Sequence, residues 1–190
     1  MIPDQLSTEE KQFLLKLARK ALEDAVLGRT LEPLEMELES PCLDQLGATF
    51  VTLRRRGELR GCIGALEAYQ SLAEDVREHA MAAALQDYRF TPVSPEEIGD
   101  ITIEISRLTP PQLLDYRDCE DLVRRLSSKN DGVVLKDSGR RATFLPQVWE
   151  KLPDPALFLN NLCLKMGLPP DNWRRKKMEV WVYQVEEFKE

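Results

Sequence analysis

The chain is poor in the residues that build metal and hydrolytic sites. Its 190 residues include one histidine, His79. The four cysteines are widely scattered: Cys42, Cys62, Cys119 and Cys163. No two of them have the spacing of a zinc finger, a redox pair or an iron–sulfur cluster. We therefore expect reduced thiols, no structural zinc and no iron–sulfur cluster in the isolated chain, and any Ser-His-Asp triad would have to use His79.

The sequence also lacks a long apolar run and an excess of positive charge. The segment Met1–Asp4 has no basic region, so we expect no signal peptide, no membrane span and a cytoplasmic location. The net charge of −7 predicts no general attraction to nucleic acid or to anionic membranes. The basic runs at residues 54–56 and 174–177 are interpreted as solvated surface.

Helical and strand patterns mix along the chain without a regular βαβ repeat. Capping boxes at Ser7 and Ser71 predict two helices, the first ended by Gly28. Further helices are predicted from residues 94, 118 and 154, and strands at residues 48–55, 58–64, 101–106, 132–135, 141–145 and 178–185. Residues 29–46 are predicted to form a covering loop. This pattern predicts an α+β fold with a mixed, largely antiparallel sheet and flanking helices.

The most informative segment is residues 59–64, Leu-Arg-Gly-Cys-Ile-Gly, on a predicted strand. Glycine inside a strand marks a bulge or a close backbone approach, so we interpret Gly61 and Gly64 as leaving the backbone around Cys62 open to something outside the chain. Arg60 is predicted to point to the same side of the strand as Cys62, where a cation would favour the reactive thiolate. The competing interpretation is a buried structural thiol.

A second polar cluster, Asp-Tyr-Arg-Phe-Thr-Pro, follows a predicted helix and contains Asp87, Arg89 and Phe90. Asp87 and Arg89 are spaced for an ion pair that ends the helix, or for a rigid polar corner of a functional site. The position of His79 near the apolar face of its helix favours a local hydrogen bond over a role as the base of a Cys–His dyad.

Two further clusters are candidates for the same site. Glu104 and Ser106 lie on the polar face of an alternating strand, which is either solvated or turned towards Cys62. Gln147 follows a strand and a proline, where its side-chain amide is available to a ligand.

Together these residues resemble the AMMECR domain family, whose microbial members are called AmmeMemoRadiSam system protein A. The resemblance runs in order along almost the whole chain. It is carried by residues 59–64, by Asp87, Arg89, Phe90 and Pro92, by Glu104, Ser106, Leu108 and Thr109, by Asp131 and Gly132, by residues 145–148, and by Lys165 and Gly167.

The resemblance implies one α/β domain over residues 1–190, with a larger lobe, a smaller lobe and a cleft between them. It also implies that the motif residues gather near Cys62. The microbial family name implies association with a Memo-type protein and a radical-SAM protein. Because this chain lacks the cysteine spacing of a radical-SAM cluster, such chemistry would belong to a partner, and we expect no cofactor of the chain's own.

Two functions stay open at this point, and the sequence does not decide whether the protein is an enzyme. In the first, Cys62 is the nucleophile or acceptor of a small-molecule or covalent-intermediate site. Arg60 and Arg89 would then stabilise an anion or the thiolate, with Asp87 orienting Arg89 and Glu104 transferring a proton; the expected binding residues are Gly61, Gly64, Phe90, Ser106 and Gln147. In the second, the protein is a non-enzymatic accessory protein whose cleft docks a partner protein or peptide.

Overall fold

The structure is a computed structural model that describes residues 5–30, 33–34, 40–126 and 130–190. The chain divides into two compact units. The first consists of Met1–Leu108 and Glu186–Glu190, and the second of Thr109–Val185. The α+β fold is confirmed, with two sheets, one in each unit; the pairs of β1 with β2, β3 and β4, and of β8 with β5 and β6 and β6 with β7, are antiparallel.

The first unit places two long helices against one sheet. Its elements are α1 (Thr8–Val26), α2 (Pro41–Asp44), β1 (Leu46–Arg55), β2 (Glu58–Gly64), β3 (Gln70–Ser71), α3 (Leu72–Leu85), a 3₁₀ helix (Pro95–Asp100), β4 (Ile101–Leu108) and β9 (Val185–Lys189). The strand order is β2-β1-β4-β9, with β3 also paired to β1. Both predicted capping residues begin their helices, since Ser7 accepts from the Glu10 amide and Ser71 from the Glu74 amide.

Alternation along the strands decides which side of the first sheet is buried. The apolar positions Val51, Leu53, Ile103 and Ile105 are fully buried in the cluster that also contains apolar residues of α1 and α3. The intervening positions, which include Thr52 and Glu104, therefore point to the opposite face. The helices α1 and α3 therefore pack on one face, and Cys62, Glu104 and Ser106 lie on the other.

The β1–β2 hairpin turns at Arg56 and Gly57, as predicted. Both residues have a positive φ, 53° and 84°, which is the backbone of a tight two-residue hairpin turn. For a residue with a side chain this conformation costs about 1–2 kcal/mol. The Arg56 side chain is 79% exposed and pairs with Asp100 at 3.2 Å, and an exposed pair of this kind contributes only about 0–1 kcal/mol. The ion pair alone does not offset the strain at Arg56.

The prediction of a loop over residues 29–46 is wrong at its end. Ser40 accepts a hydrogen bond from the Cys42 amide and Pro41 occupies the first helical position, so α2 begins there. Leu43 is fully buried, and β1 begins at Leu46 rather than residue 48. Residues 31–32 and 35–39 of the predicted loop lie outside the described residues.

The second unit packs short helices on a four-stranded sheet of order β5-β8-β6-β7. Its elements are β5 (Gln112–Leu113), α4 (Cys119–Arg125), β6 (Gly132–Asp137), β7 (Arg140–Phe144), α5 (Val148–Lys151), α6 (Pro155–Lys165), α7 (Asn172–Arg175) and β8 (Glu179–Tyr183). The β6–β7 hairpin turns at Ser138 and Gly139, which also have a positive φ, 49° and 80°. Helix α6 starts after Asp154, whose carboxylate accepts from the Leu157 amide at 2.8 Å.

The predicted last strand, residues 178–185, is in fact parts of two strands. β8 belongs to the second sheet, whereas β9 belongs to the first. The break falls at Gln184, whose amide donates to the Thr109 hydroxyl at 2.9 Å instead of joining a strand ladder. Apolar residues stand on both sides of this break, at Tyr183 and Val185, so the pattern alone does not reveal it. No helix in the described part of the chain is long and apolar enough to cross a membrane.

Candidate functional site

Cys62 lies on β2, at the end of the strand order, and on the side away from β1 its backbone is held by side chains. The Cys62 amide donates to Asp87 Oδ2 at 2.8 Å. Arg89 Nη2 donates to the Cys62 carbonyl at 3.2 Å. An acceptor and a donor thus take the places that a neighbouring strand would fill. We call this arrangement the Asp87–Arg89 clamp.

The two clamp residues also bind each other. Asp87 Oδ1 accepts from Arg89 Nε at 2.9 Å, and Oδ2 accepts from Nη2 at 2.6 Å. The side-chain hydrogen bond from Arg89 holds the pKa of Asp87 far below its ordinary value, although burial opposes the shift. The same bond raises the pKa of Arg89 above its ordinary value. Both groups therefore stay charged over the physiological range. The predicted ion pair is confirmed, and it also contacts the Cys62 backbone.

The Cys62 thiol is partly buried and has one hydroxyl partner. Thr52 lies directly opposite Cys62 across the β1–β2 ladder, and its Oγ1 donates to Cys62 Sγ at 3.3 Å. Thr52 is also opposite Glu104 across the β1–β4 ladder. Cys62, Thr52 and Glu104 therefore form one row across the polar face of the sheet. Thr52 is not among the residues predicted from the sequence. Its alternation with Val51 and Leu53 identifies its face, but its partners depend on the strand register.

Glu104 lies on the same face of the sheet as Cys62, but it is not a neighbour of the thiol. Adjacent strands are about 4.8 Å apart, so Glu104 and Cys62, two strands apart, are separated by about 10 Å at the backbone. The Glu104 carboxylate instead pairs with Arg54 Nε at 3.2 Å. Ser106 lies on the same face opposite Phe50 and is buried.

Arg60 is placed differently from the prediction. The register shifts at Leu53, leaving Arg60 without a partner on β1, which is the signature of a β-bulge. Its guanidinium donates to both oxygens of Glu97, at 3.0 and 2.8 Å, and to the carbonyls of Thr91 and Pro92. The described contacts of the Arg60 side chain are therefore to the 3₁₀ helix and the segment before it, and not to the thiol. Hydrogen bonding from Arg60 lowers the pKa of Glu97 to about 2.

Close contacts within the chain explain the two glycines, Gly61 and Gly64. A Cβ on Gly61 would lie 2.2 Å from the Ala83 carbonyl oxygen of α3. A Cβ on Gly64 would lie 2.3 Å from the Thr49 carbonyl oxygen and 2.5 Å from the Phe50 ring. The interpretation that the glycines open the backbone to something outside the chain is thus corrected, since both admit neighbours from the same chain.

His79 belongs to the other face of the sheet. Its Nδ1 lies 3.1 Å from Asp75 Oδ2 and 3.5 Å from Thr49 Oγ1, and all three side chains are buried. Thr49 points to the face that the helices cover, where its amide donates to Asp75 of α3. Cys62 is opposite Thr52 and points to the polar face. The local hydrogen bond is as predicted, and a Cys–His dyad is not formed.

The remaining predicted residues fall in two places. Phe90 is partly buried, with the Arg89 guanidinium 5.5 Å from its ring centroid. Gln147 lies in the second unit, immediately before α5, where its carbonyl accepts from the Glu150 amide.

The four cysteines are free thiols, and burial raises the pKa of Cys163. Within the ranges that the structure describes, there is no group of three or more histidine, cysteine or acidic residues that could hold a metal ion.

The fold and the site define a class of α+β protein with a free cysteine on an end strand, held by an internal ion pair. Comparison with known proteins identifies the family. Residues 15–188 match the family model for AMMECR1, and the chain belongs to the AMMECR1 family. It is 37% identical to a protein of Thermofilum pendens over 98% of this chain and 92% of that one, and 38% identical to a protein of Methanothermobacter thermautotrophicus over 97% and 96%.

The fold is also that of a solved structure. The crystal structure of uncharacterized protein PH0010 from Pyrococcus horikoshii matches with a TM-score of 0.83 and 34% sequence identity, over 97% of this chain and 93% of that one.

Proposed function

We propose that Cys62 is the reactive centre of a small-molecule site on the polar face of the first sheet, as nucleophile or acceptor of a covalent intermediate. The observation that carries this proposal is the fixation of Cys62. Its amide and carbonyl are bound by the Asp87–Arg89 clamp, and its sulfur is bound by Thr52. A reacting group held in one geometry avoids the entropic cost of orienting it, which is a large part of many catalytic effects.

The row across the sheet supplies polar contacts for a ligand bonded to Cys62. Thr52 is a hydroxyl donor beside the sulfur, and Glu104 on the next strand, β4, pairs with Arg54 of β1. At about 10 Å from the Cys62 backbone, Glu104 acts as a proton-transfer group only for a ligand that spans the row.

In this proposal the clamp residues have different roles. Asp87 is buried and is a positioning residue, because its oxygens are occupied by the Cys62 amide and by Arg89. The Arg89 side chain is 44% exposed, and its Nη1 makes no hydrogen bond to the residues that the structure describes. Arg89 therefore positions Cys62 and keeps one nitrogen for an anionic group of the ligand.

A second candidate function, docking of a partner protein, is supported by Tyr88. This side chain is 94% exposed although it lies between the two clamp residues. Aromatic side chains are common anchors of protein interfaces. We propose a Memo-type or radical-SAM protein as the partner, as the family name implies.

Thiol labelling tests the first proposal. Native protein is treated with a limiting amount of iodoacetamide and the labelled peptides are quantified by mass spectrometry. We expect Cys62 to be labelled ahead of Cys42 and Cys119, which are also partly buried. Labelling of Cys42 or Cys119 with Cys62 unmodified would contradict a nucleophilic role.

Binding of purified partners tests the second proposal. Tyr88→Ala is compared with Tyr69→Ala, a matched exposed tyrosine elsewhere in the first unit, which is 56% exposed. Loss of Memo-type or radical-SAM partner binding in Tyr88→Ala alone, with Cys62 labelling unchanged, would favour docking. Equal binding by both variants and the native protein would remove the support that Tyr88 gives.

A further inference from the structure

A cavity of about 430 Å³ opens beside the β1–β2 turn. Its walls are formed by Arg55, Arg56, Glu58, Leu59, Arg60 and Glu97. Two of its three arginines come from the basic run at residues 54–56, which the sequence analysis interpreted as solvated surface. The structure places them in the wall of one cavity, and the proposed chemistry of Cys62 does not use them.

One wall of the cavity is a closed ion pair. Arg60 donates to both oxygens of Glu97 and to two backbone carbonyls, and only 13% of each side chain is exposed. Since Nε, Nη1 and Nη2 of Arg60 all have acceptors, this arginine fixes the cavity wall and is not a free donor. Arg55 Nη1 also donates to Glu97, at 2.8 Å.

The other two arginines have unused donors. Among the described residues, Arg55 Nη2 makes no hydrogen bond, and Arg56 donates only through Nη2, to Asp100 at 3.2 Å. Arg55 Nε is buried without a hydrogen-bond partner in the described chain, and a carboxylate oxygen of Asp100 lies 3.5 Å away. Two guanidinium groups side by side with free N–H groups match the oxygens of a carboxylate or a phosphate.

The backbone at Arg56 decides how the arginine can be tested. Its φ of 53° favours Gly, Asn or Asp at this position of a two-residue hairpin turn. Ser138 at the β6–β7 hairpin has a similar φ of 49°, so this conformation belongs to the hairpin turn and is not specific to the cavity.

We propose that this cavity binds a small-molecule anion, whose carboxylate or phosphate oxygens accept hydrogen bonds from Arg55 and Arg56. The volume is within the range of small-molecule sites, about 300–1,000 Å³. A small anion is favoured over a polyanion such as nucleic acid, because the chain carries a net charge of −7 that repels a long chain of phosphates. The proposal does not depend on the reactivity of Cys62.

Nuclear magnetic resonance of the arginine Nε–H groups tests the proposal directly. The native protein is titrated with inorganic pyrophosphate and, separately, with citrate, at an ionic strength held constant with sodium chloride. We expect saturable shifts of the Arg55 and Arg56 signals with at least one of the two anions. Saturation with pyrophosphate alone identifies a phosphate site, and saturation with citrate alone identifies a carboxylate site.

Arg56→Asn is the informative variant, because asparagine tolerates a positive φ while it removes the guanidinium. We expect it to weaken anion binding by about tenfold or more, which corresponds to about 1.4 kcal/mol, with an unfolding temperature equal to or above that of the native protein. Ser138→Asn is the matched control at the other hairpin, where φ is 49°, and should bind the anion as the native protein does.

Two results would overturn the proposal. One is the absence of saturable Arg55 and Arg56 shifts with both anions. The other is equal affinity of the native protein and Arg56→Asn, or equal loss in Arg56→Asn and Ser138→Asn, because the arginine would then not be the binding group. Arg55→Gln provides a second test, since its loss of binding is expected to match that of Arg56→Asn.

Discussion

In each unit a strand glycine makes a close contact within the chain, but the side chains next to it are charged in the first unit and neutral in the second. In the first unit Gly61 admits the carbonyl of Ala83, and the adjacent Cys62 is held by the charged Asp87–Arg89 clamp. In the second, Gly132 admits the ring of Tyr183, whose hydroxyl lies 3.0 Å from Thr143 Oγ1 and 3.2 Å from the Phe144 carbonyl.

This difference sets how each unit responds to pH. A charged clamp depends on an ionised carboxylate and weakens in acid. A neutral hydroxyl network depends on a protonated phenol and weakens in base. The lesson is that a glycine in a strand identifies a close internal contact in both units, whereas the side chains around it decide which conditions the contact tolerates.

The largest expected effect comes from adding a methyl group at the two glycines. Gly61→Ala and Gly132→Ala should each lower the free energy of unfolding by about 2–3 kcal/mol, because the new Cβ would lie 2.2 Å from an existing atom. Gly61→Ala should be the more severe, since its neighbour is backbone and cannot rotate away.

Urea denaturation followed by circular dichroism measures both variants. Gly99→Ala is the control, because nothing lies within 4 Å of its added Cβ. Equal stabilities of all three variants would contradict the close-contact explanation in both units.

The next effect concerns the clamp. Asp87→Asn should lower the free energy of unfolding by about 1–2 kcal/mol, because it leaves Arg89 without its carboxylate. The loss is smaller than for a fully buried pair, since 44% of the Arg89 side chain is exposed and water replaces part of the interaction. It should also alter the rate of Cys62 alkylation, which a purely helix-ending role would leave unchanged.

The same variant should also change how the free energy of unfolding falls at acidic pH. The pKa of Asp87 is lowered in the folded state, so its contribution is complete above the unfolded value of about 4 and is lost as pH falls below that towards the lowered pKa. In urea denaturation between pH 5 and 2, Asp87→Asn should lose less stability than the native protein. Parallel curves for the two proteins would contradict the charged clamp.

Tyr183 of the second unit should cause much of the protein's loss of stability at alkaline pH. Burial raises the pKa of Tyr183 to about 12 in the folded state, against 10.0 ordinarily. Between these values the unfolded chain releases the proton first, so native stability falls as pH rises above 10. We expect a loss of about 2 kcal/mol by pH 12, measured as the difference between the native protein and Tyr183→Phe. The same slope in Tyr183→Phe would show that other groups cause the loss.

The smallest effect tests the row across the sheet. Thr52→Val removes the hydroxyl that donates to Cys62 Sγ while it keeps the shape of the side chain. We expect less than about 1 kcal/mol of lost stability, since the pair is a single partly exposed hydrogen bond. The rate of Cys62 alkylation by iodoacetamide should nevertheless change. An unchanged rate would remove Thr52 from the site.

Short-range chemistry made much of this protein readable from its sequence. The capping boxes at Ser7 and Ser71 predicted where α1 and α3 begin, because a cap satisfies backbone groups within three residues of itself. Arg56 and Gly57 were identified as a turn for the same reason, and the ordered motifs around residues 59–64 were enough to recognise the family that the comparison confirms.

The contacts that build the candidate site were decided only by the tertiary structure. Thr52 and Cys62 meet because of the β1–β2 register, and Asp87 reaches the Cys62 amide across 25 residues of chain. Arg60 turns to Glu97 because of a bulge. A one-residue change of register would move every side chain of a strand to the other face, and alternation alone does not choose between partners.

The sequence by itself thus determined the starts of α1, α3, α4 and α6, the turn at Arg56 and Gly57, the α+β class and the family, since each depends on neighbouring residues or on ordered motifs. Only the tertiary structure decided that the glycines beside Cys62 admit Ala83 and Phe50, that β9 leaves the second sheet for the first, and that Arg55 and Arg56 line one cavity. The physical reason is that these features are contacts between distant residues, whose geometry depends on the packing of the complete chain.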